Sequence, residues 1–301
     1  MKKNIIEKKP LLPLYKWSWG KRKEIKEFES YFPDFVKDKE NYTYVEPFFW
    51  GGAVFWYLEN QKNIINDIDK DLILFLKELK QNPDKIKKMA KEVSEYISVI
   101  TKKEKEGELS IKDAKIERWK IYYKWRSKDK DGWLDTLTNI DRAFRFFIVN
   151  QLAFSGMRRF NSKGEFNVPY WNYKSFNLNL EQRHLDLLNN TEIFSTDYKE
   201  IMKENDKENT FIYVDPPYTR EFKEYSHDNV FWEKQHIELF NTFKNMKKAK
   251  VMIVINKDDF TYNLYKDYIK AEYNLKYSTN IKNRYDNNVT HLIITNYQNL
   301  N

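Results

Sequence analysis

Between residues 63 and 80 the hydrophobic period of the chain changes, and that change dictates an architecture. Asn63 to Ile65 is a short β-branched run ending in Asn66-Asp67-Ile68-Asp69; Leu72, Phe75, Leu76 and Leu79 then recur at helical spacing, and the pattern stops before Pro83. Strand, acidic turn and amphipathic helix in succession form the unit of a doubly wound α/β sheet. Further β-branched and aromatic runs at Tyr42 to Val45, Phe211 to Val214, Val251 to Ile255 and His291 to Thr295 read as buried strands of the same sheet. The expected fold class is α/β, with a mostly parallel sheet.

The middle of the chain has another character. From about Lys85 to Lys130 it is rich in Lys and Glu and helical in pattern, broken at Gly107 and Gly132, and its plain reading is a solvated helical face. Asn150 to Tyr173 mixes Gly, Arg, Asn and aromatic residues irregularly, as a loop does. The organisation expected is a first part of the core in residues 1–80, a helical insert in 81–190 and a second part of the core in 191–301. With 41% hydrophobic residues the chain has enough apolar surface for such a core.

Composition removes several kinds of chemistry. Cys is absent, which excludes disulfides, thiolate zinc sites and cysteine nucleophiles. The His residues, His184, His227, His236 and His291, show no HxxxH or HxH spacing, so no metal site is expected. Val251 to Ile255 is purely apolar but far short of the roughly 20 residues of a membrane span. The opening MKKNIIEKKP lacks the apolar segment of a signal peptide, so a soluble, cytoplasmic protein with no membrane partner is expected. Lys and Arg number 53 against 45 Asp and Glu, a net charge of +8 that favours a polyanionic partner.

Four stretches carry candidate chemistry. In Phe211-Ile-Tyr-Val-Asp215-Pro216-Pro217-Tyr218 an apolar strand ends in an acid, two prolines and an aromatic. The Asp215 carboxylate and the Pro216 carbonyl are acceptors only, which suits a planar NH2 group, and the Tyr218 ring offers a face to the attached base. An Asx-type turn after a strand would use the same residues. In Tyr44-Val-Glu46-Pro-Phe48-Phe-Trp50-Gly51-Gly52 a strand runs into paired glycines that let the backbone pass close to a ligand. Asp67, past the next strand, is placed to accept from ribose hydroxyls, with Asp69 as the acid near the helix start; helix capping is the alternative for either. Tyr15-Lys16-Trp17-Ser18-Trp19-Gly20-Lys21 interleaves aromatic and basic side chains, which suits a cofactor carboxylate, a nucleic acid backbone or a hydrophobic latch. Phe154 to Tyr170 carries Arg158, Arg159, Asn161 and Lys163, which suit base and phosphate contacts, although a charged surface loop looks similar.

Taken in order, these stretches resemble the Dam-like DNA adenine N6-methyltransferases, the D12 class in which the cofactor motif precedes the target-recognition insert and then DPPY. The family's KWAGGK is matched by Lys16 to Lys21, its EPFxGxGxVF by Glu46 to Phe55, its following aspartate by Asp67, its NRxxxNGxxRYNxxGEFNVPF by Asn150 to Tyr170, and its LLITNY by Leu292 to Tyr297. The resemblance implies a Rossmann-like methyltransferase core with an inserted helical target-recognition domain, S-adenosylmethionine as cofactor, and double-stranded DNA as substrate. It implies a catalytic set of Asp215, Pro216 and Tyr218, a cofactor set of Trp17, Lys21, Glu46, Phe48, Asp67 and Asp215, and a DNA-facing set of Lys16, Phe154, Arg158, Arg159 and Asn161. Within the last set it makes Phe154 a wedge and Arg159 a base reader. Asp197 and Tyr198 resemble the acid-aromatic pair near the cofactor adenine. A cognate restriction endonuclease is a further partner the family implies, and an orphan methylase its other mode. RNA or protein-glutamine methylation, and a DNA-binding relative that has lost catalysis, are the rival readings.

Departures from the pattern cluster near the expected cofactor. Trp19 and Trp50 stand where the family has glycine, and the two rings are expected to stack or to reshape the methionine end of the pocket. Ser155, Asn172 and His291 replace the family's Asn, Arg and Glu, which bears on the target sequence rather than on the chemistry.

Overall fold

The computed structural model describes residues 9–18, 20–129, 133–218, 233–276 and 288–298. Trp19, Lys130, Gly132 and His227 lie outside the described residues. Among the described residues seven strands form one sheet: β1 Thr43–Glu46, β2 Asn63–Asn66, β3 Thr191–Phe194, β4 Thr210–Val214, β5 Lys250–Asn256, β6 Ile269–Lys276 and β7 Asn288–Thr295. The spatial order is β3-β2-β1-β4-β5-β7-β6. The first five are parallel, while β7 runs antiparallel to both β5 and β6. This is a Rossmann-like methyltransferase fold, and the strand order reverses between β1 and β4, where such sheets open a crevice beyond their carboxyl ends.

The strands bury both faces by simple alternation. Tyr44, Phe211 and Tyr213 point to one apolar cluster, and Val45, Ile212 and Val214 to the other. Among the described residues there are ten α-helices: α1 Ile25–Phe28, α2 Ala53–Leu58, α3 Lys70–Gln81, α4 Pro83–Lys105, α5 Ile111–Arg126, α6 Asn139–Leu152, α7 Gln182–Asn189, α8 Tyr198–Glu204, α9 Glu233–Asn245 and α10 Asp259–Tyr265. α3 forms where its apolar residues predict a helix, and Asp69 caps it by accepting from the N–H groups of Asp71 and Leu72. Its Phe75 stacks on Phe147 of α6 with centroids 5.3 Å apart, so the first apolar cluster runs without a break from the sheet into the helices that follow. α8, α9 and α10 supply Met202, Leu239 and Tyr265 to the opposite face.

α4 and α5 are joined through Gly107, whose φ of 78° reverses the chain. α4 is not solvated all round: Ile86, Ala90, Val93, Ile97 and Ile100 form a buried stripe at helical spacing. The segment after α6 is irregular, held by single bridges between Ala153 and Tyr170 and between Phe160 and Phe166. No helix among the described residues is long and apolar enough to cross a membrane.

Candidate active site

At the reversal point the ends of β1, β2 and β4 each deliver an acid. Glu46 closes β1, Asp67 follows β2 and Asp215 follows β4. A cleft of about 470 Å³, open to solvent, is lined there by Trp17, Lys21, Glu46, Trp50, Asp215 and Tyr218 among others, with Pro216 and the Gly51-Gly52 turn on its walls. Glycine is demanded at 51, where a Cβ would stand 2.9 Å from that of Trp17. At 52 the backbone is left-handed and packs on the Phe49 ring.

Trp50 ties two of the acids together. Its backbone N–H donates to Asp67 Oδ2 at 2.9 Å, and its indole N–H donates to the Asp215 carbonyl at 2.7 Å. Its φ of 48° is a left-handed conformation, so the backbone here has the shape that favours glycine even though a tryptophan occupies it. The neighbouring ring is Trp17, 5.7 Å away and tilted by 50°. The expected partner Trp19 lies outside the described residues.

Behind Asp215 lies a polar cluster. Lys21 Nζ stands 3.9 Å from Asp215 Oδ1, 3.3 Å from Glu24 Oε2 and 3.0 Å from His291 Nε2, and it donates to the Tyr218 hydroxyl. The Tyr218 hydroxyl is also 3.1 Å from His291 Nε2, and the His291 ring stacks on Tyr273, whose hydroxyl donates to Glu24. Tyr218 is thus fixed at its phenol end while the residue borders the cleft. Of this cluster the sequence marks Lys21, Asp215 and Tyr218 as functional. His291, expected to bear on the target sequence rather than on the chemistry, instead lies against the Lys21 ammonium and the Tyr218 hydroxyl, and neither Glu24, three residues beyond Lys21, nor Tyr273 is singled out.

Burial sets the protonation of the acids. It pushes the Asp215 carboxyl up to about 7 against the pull of the Lys21 ammonium. Asp67 rises to about 6 by burial and by the charge of Asp69, and Glu46 rises well above the carboxylate range for the same first reason. Burial and the Lys21 ammonium hold His291 neutral by driving its pKa far down. Two desolvated acids, Glu46 and Asp215, line the cleft; Asp67 lies beside it, its carboxylate accepting from the Trp50 and Asp69 N–H groups and facing the Arg158 charge, so the two lining acids are the ones that favour a ligand carrying positive charge.

The remaining expected residues sit in two places. Phe48 is half-buried, 4.9 Å from the Tyr198 ring, and Asp197 caps α8. Lys16 donates to the Gln151 carbonyl at 2.6 Å and lies over the Tyr173 ring. Phe154 packs edge-on against Trp171. Arg159 holds the Asn167 side chain at 2.7 Å, and Asn161 that of Glu165 at 2.8 Å. Arg158 turns inward, 8% exposed, where its guanidinium pairs with Asp69 at 2.5 Å and lies over the Phe146 ring. The Ser155 carbonyl accepts from Ser18 of the cleft wall, which brings the irregular segment to the mouth of the cleft.

A doubly wound sheet with a glycine turn after β1, an acid after β2 and Asp-Pro-Pro-Tyr after β4 defines an amino-group methyltransferase. Residues 17–282 match the D12 class N6 adenine-specific DNA methyltransferases, and the chain belongs to that family. It is 30% identical over 292 residues to the Type II methyltransferase M.CviBI of Paramecium bursaria Chlorella virus NC1A, covering 95% of this chain and 99% of that one. To the Type II methyltransferase M1.LlaDCHI of Lactococcus lactis subsp. cremoris it is 30% identical over 310 residues, covering 98% of this chain and all of that one. The DNA adenine methylase of Escherichia coli strain K12 is 26% identical over 254 residues, 81% of this chain and 80% of its own. The chain is a DNA adenine-N6 methyltransferase.

Proposed function

We propose that the chain methylates a specific adenine turned out of duplex DNA, with S-adenosylmethionine as donor. The observation that carries this reading is the convergence of Asp215, Pro216 and Tyr218 with Lys21 and the Gly51-Gly52 turn on one cleft, with Asp67 alongside through Trp50. The buried acids fit a donor with cationic groups, and Asp67, Glu46, Lys21, Trp17 and Phe48 are the residues that would hold it. When bound, that donor supplies an electrophilic methyl and takes back the electron pair of the broken carbon–sulfur bond.

The chain's own residues prepare the nucleophile. An adenine amino lone pair is delocalised into its ring; accepting both hydrogens at Asp215 and the Pro216 carbonyl draws the nitrogen toward tetrahedral geometry and frees the pair. The Asp215 carboxylate, whose pKa is raised to about 7, then receives the proton the methylated nitrogen sheds. Tyr218 stacking, worth ~1–3 kcal/mol, partly offsets the few kcal/mol of extruding the base. Residues 81–190 serve as the target-recognition insert, with Lys16, Phe154, Arg159 and Asn161 toward DNA and Arg158 fixing the segment from inside. The full-length similarity to two Type II methyltransferases favours a modification enzyme paired with a restriction endonuclease.

Donor affinity by calorimetry, followed by transfer of a tritiated methyl group to duplex DNA and to RNA, tests the reading. Transfer to duplex DNA is expected, and transfer to RNA alone or no donor affinity overturns it. Asp215→Ala is expected to lower turnover by at least ~10²-fold with duplex binding intact; near-normal turnover would remove Asp215 from its role.

A further inference from the structure

The segment between residues 150 and 174 is built around one outward-facing ring. Trp171 is 53% exposed, although its neighbours are anchored: Tyr170 is buried, with its hydroxyl on the Tyr173 carbonyl, and Asn172 is held in a left-handed conformation while accepting from the fully buried Arg118. The Trp171 N–H donates to the Leu152 carbonyl at 3.1 Å, and the Phe154 N–H donates to the Pro169 carbonyl at 3.0 Å. The two rings meet edge to face with centroids 4.2 Å apart, so the larger, more exposed ring covers part of the smaller one. Phe154 is bonded in sequence to Ser155, which touches the cleft wall at Ser18.

We propose that Trp171 is a second DNA-contacting aromatic, forming with Phe154 a two-ring wedge that fills the stack vacated by the extruded adenine. The inference rests on the DNA-methylating function above and deepens it. An indole fixed by its backbone at both sides loses little freedom on docking, and its apolar face gains on leaving water. The chemistry around it matches a polyanion: the Lys16 ammonium lies over the ring of Tyr173, two residues away, and the chain's net charge is +8. Base stacking on an aromatic ring tolerates any sequence, so Trp171 would act on extrusion and leave base reading to others.

The test uses the full chain, a duplex carrying the site that the wild-type protein methylates, and the same duplex with an abasic position opposite the target adenine, which removes the pairing that extrusion must break. Trp171→Ala is expected to lower single-turnover transfer on the paired duplex about tenfold, in keeping with the loss of one stacked ring. Trp171→Phe should fall between, and on the abasic duplex all three proteins should agree within about threefold. A thermal unfolding midpoint for Trp171→Phe equal to wild type shows that the fold is kept. Unchanged transfer by Trp171→Ala on the paired duplex, or an equal loss on both duplexes, overturns the wedge. Failure of the wild-type chain to methylate any duplex overturns the function on which it rests instead.

Discussion

Asp215 and Asp67 are the residues whose chemistry the fold alters most usefully. Both carboxyls bind a proton more tightly in the folded chain than at their ordinary value of 3.8, with folded values of about 7 and about 6. Their contribution to stability is therefore present in full below the unfolded value and is lost as pH rises through about 6 and then about 7. A cationic donor needs the charged forms, so its affinity should move the opposite way and rise across that window, by up to roughly tenfold per pH unit for each proton released. Calorimetry of donor binding between pH 5 and about 8, repeated in buffers of different ionisation enthalpy, counts those protons; a flat profile would show that the acids do not meet the donor's charge. Sequence marked both residues because each acid follows a strand directly. It did not mark Trp50 as the strut between them, since a hydrogen bond from an indole to a carbonyl 165 positions away leaves no local pattern.

Elements differed in how plainly they could be read. β1, β2, β4, β5 and β7 are buried enough to appear as continuous apolar runs, whereas β3 and β6 lie at the two edges of the sheet. The Thr-Glu-Ile-Phe of β3 is half exposed, and β6 interleaves Lys, Glu and Asn with its apolar residues. α6 hid for the opposite reason: Phe144 to Asn150 is buried without interruption, so no period of 3.6 shows. α3 was readable down to its cap, and Asp69 has a second role there, pairing with Arg158 from the recognition segment. Asp69→Ala should therefore cost more than the ~1 kcal/mol of a lost cap, because it also leaves the Arg158 guanidinium buried without its carboxylate. Denaturant unfolding of this variant beside Ser110→Ala, a cap without such an ion pair at the exposed start of α5, separates the two contributions; equal losses would mean that the ion pair adds nothing.

Over the whole molecule, the positive charge is modest and the irregular segment sits at the cleft mouth, so DNA affinity should depend on salt without being purely electrostatic. The logarithm of the association constant should fall linearly with that of salt concentration, and Lys16→Ala should reduce the slope by about one. An unchanged slope would show that the Lys16 ammonium keeps to its carbonyl and its ring in the complex. The antiparallel strand β7 has a different consequence, for the way the chain is made. Of the described strands it is the last to leave the ribosome, yet it lies between β5 and β6 and brings His291 to the phenol of Tyr218. Until it arrives, β6 lacks the partner it has among the described strands and Tyr218 lacks one of its holds. The pocket that grips the adenine is thus finished by a strand synthesised some seventy residues after the residues that do the chemistry, and a nascent chain stalled before that point would carry its acids without the means to aim them.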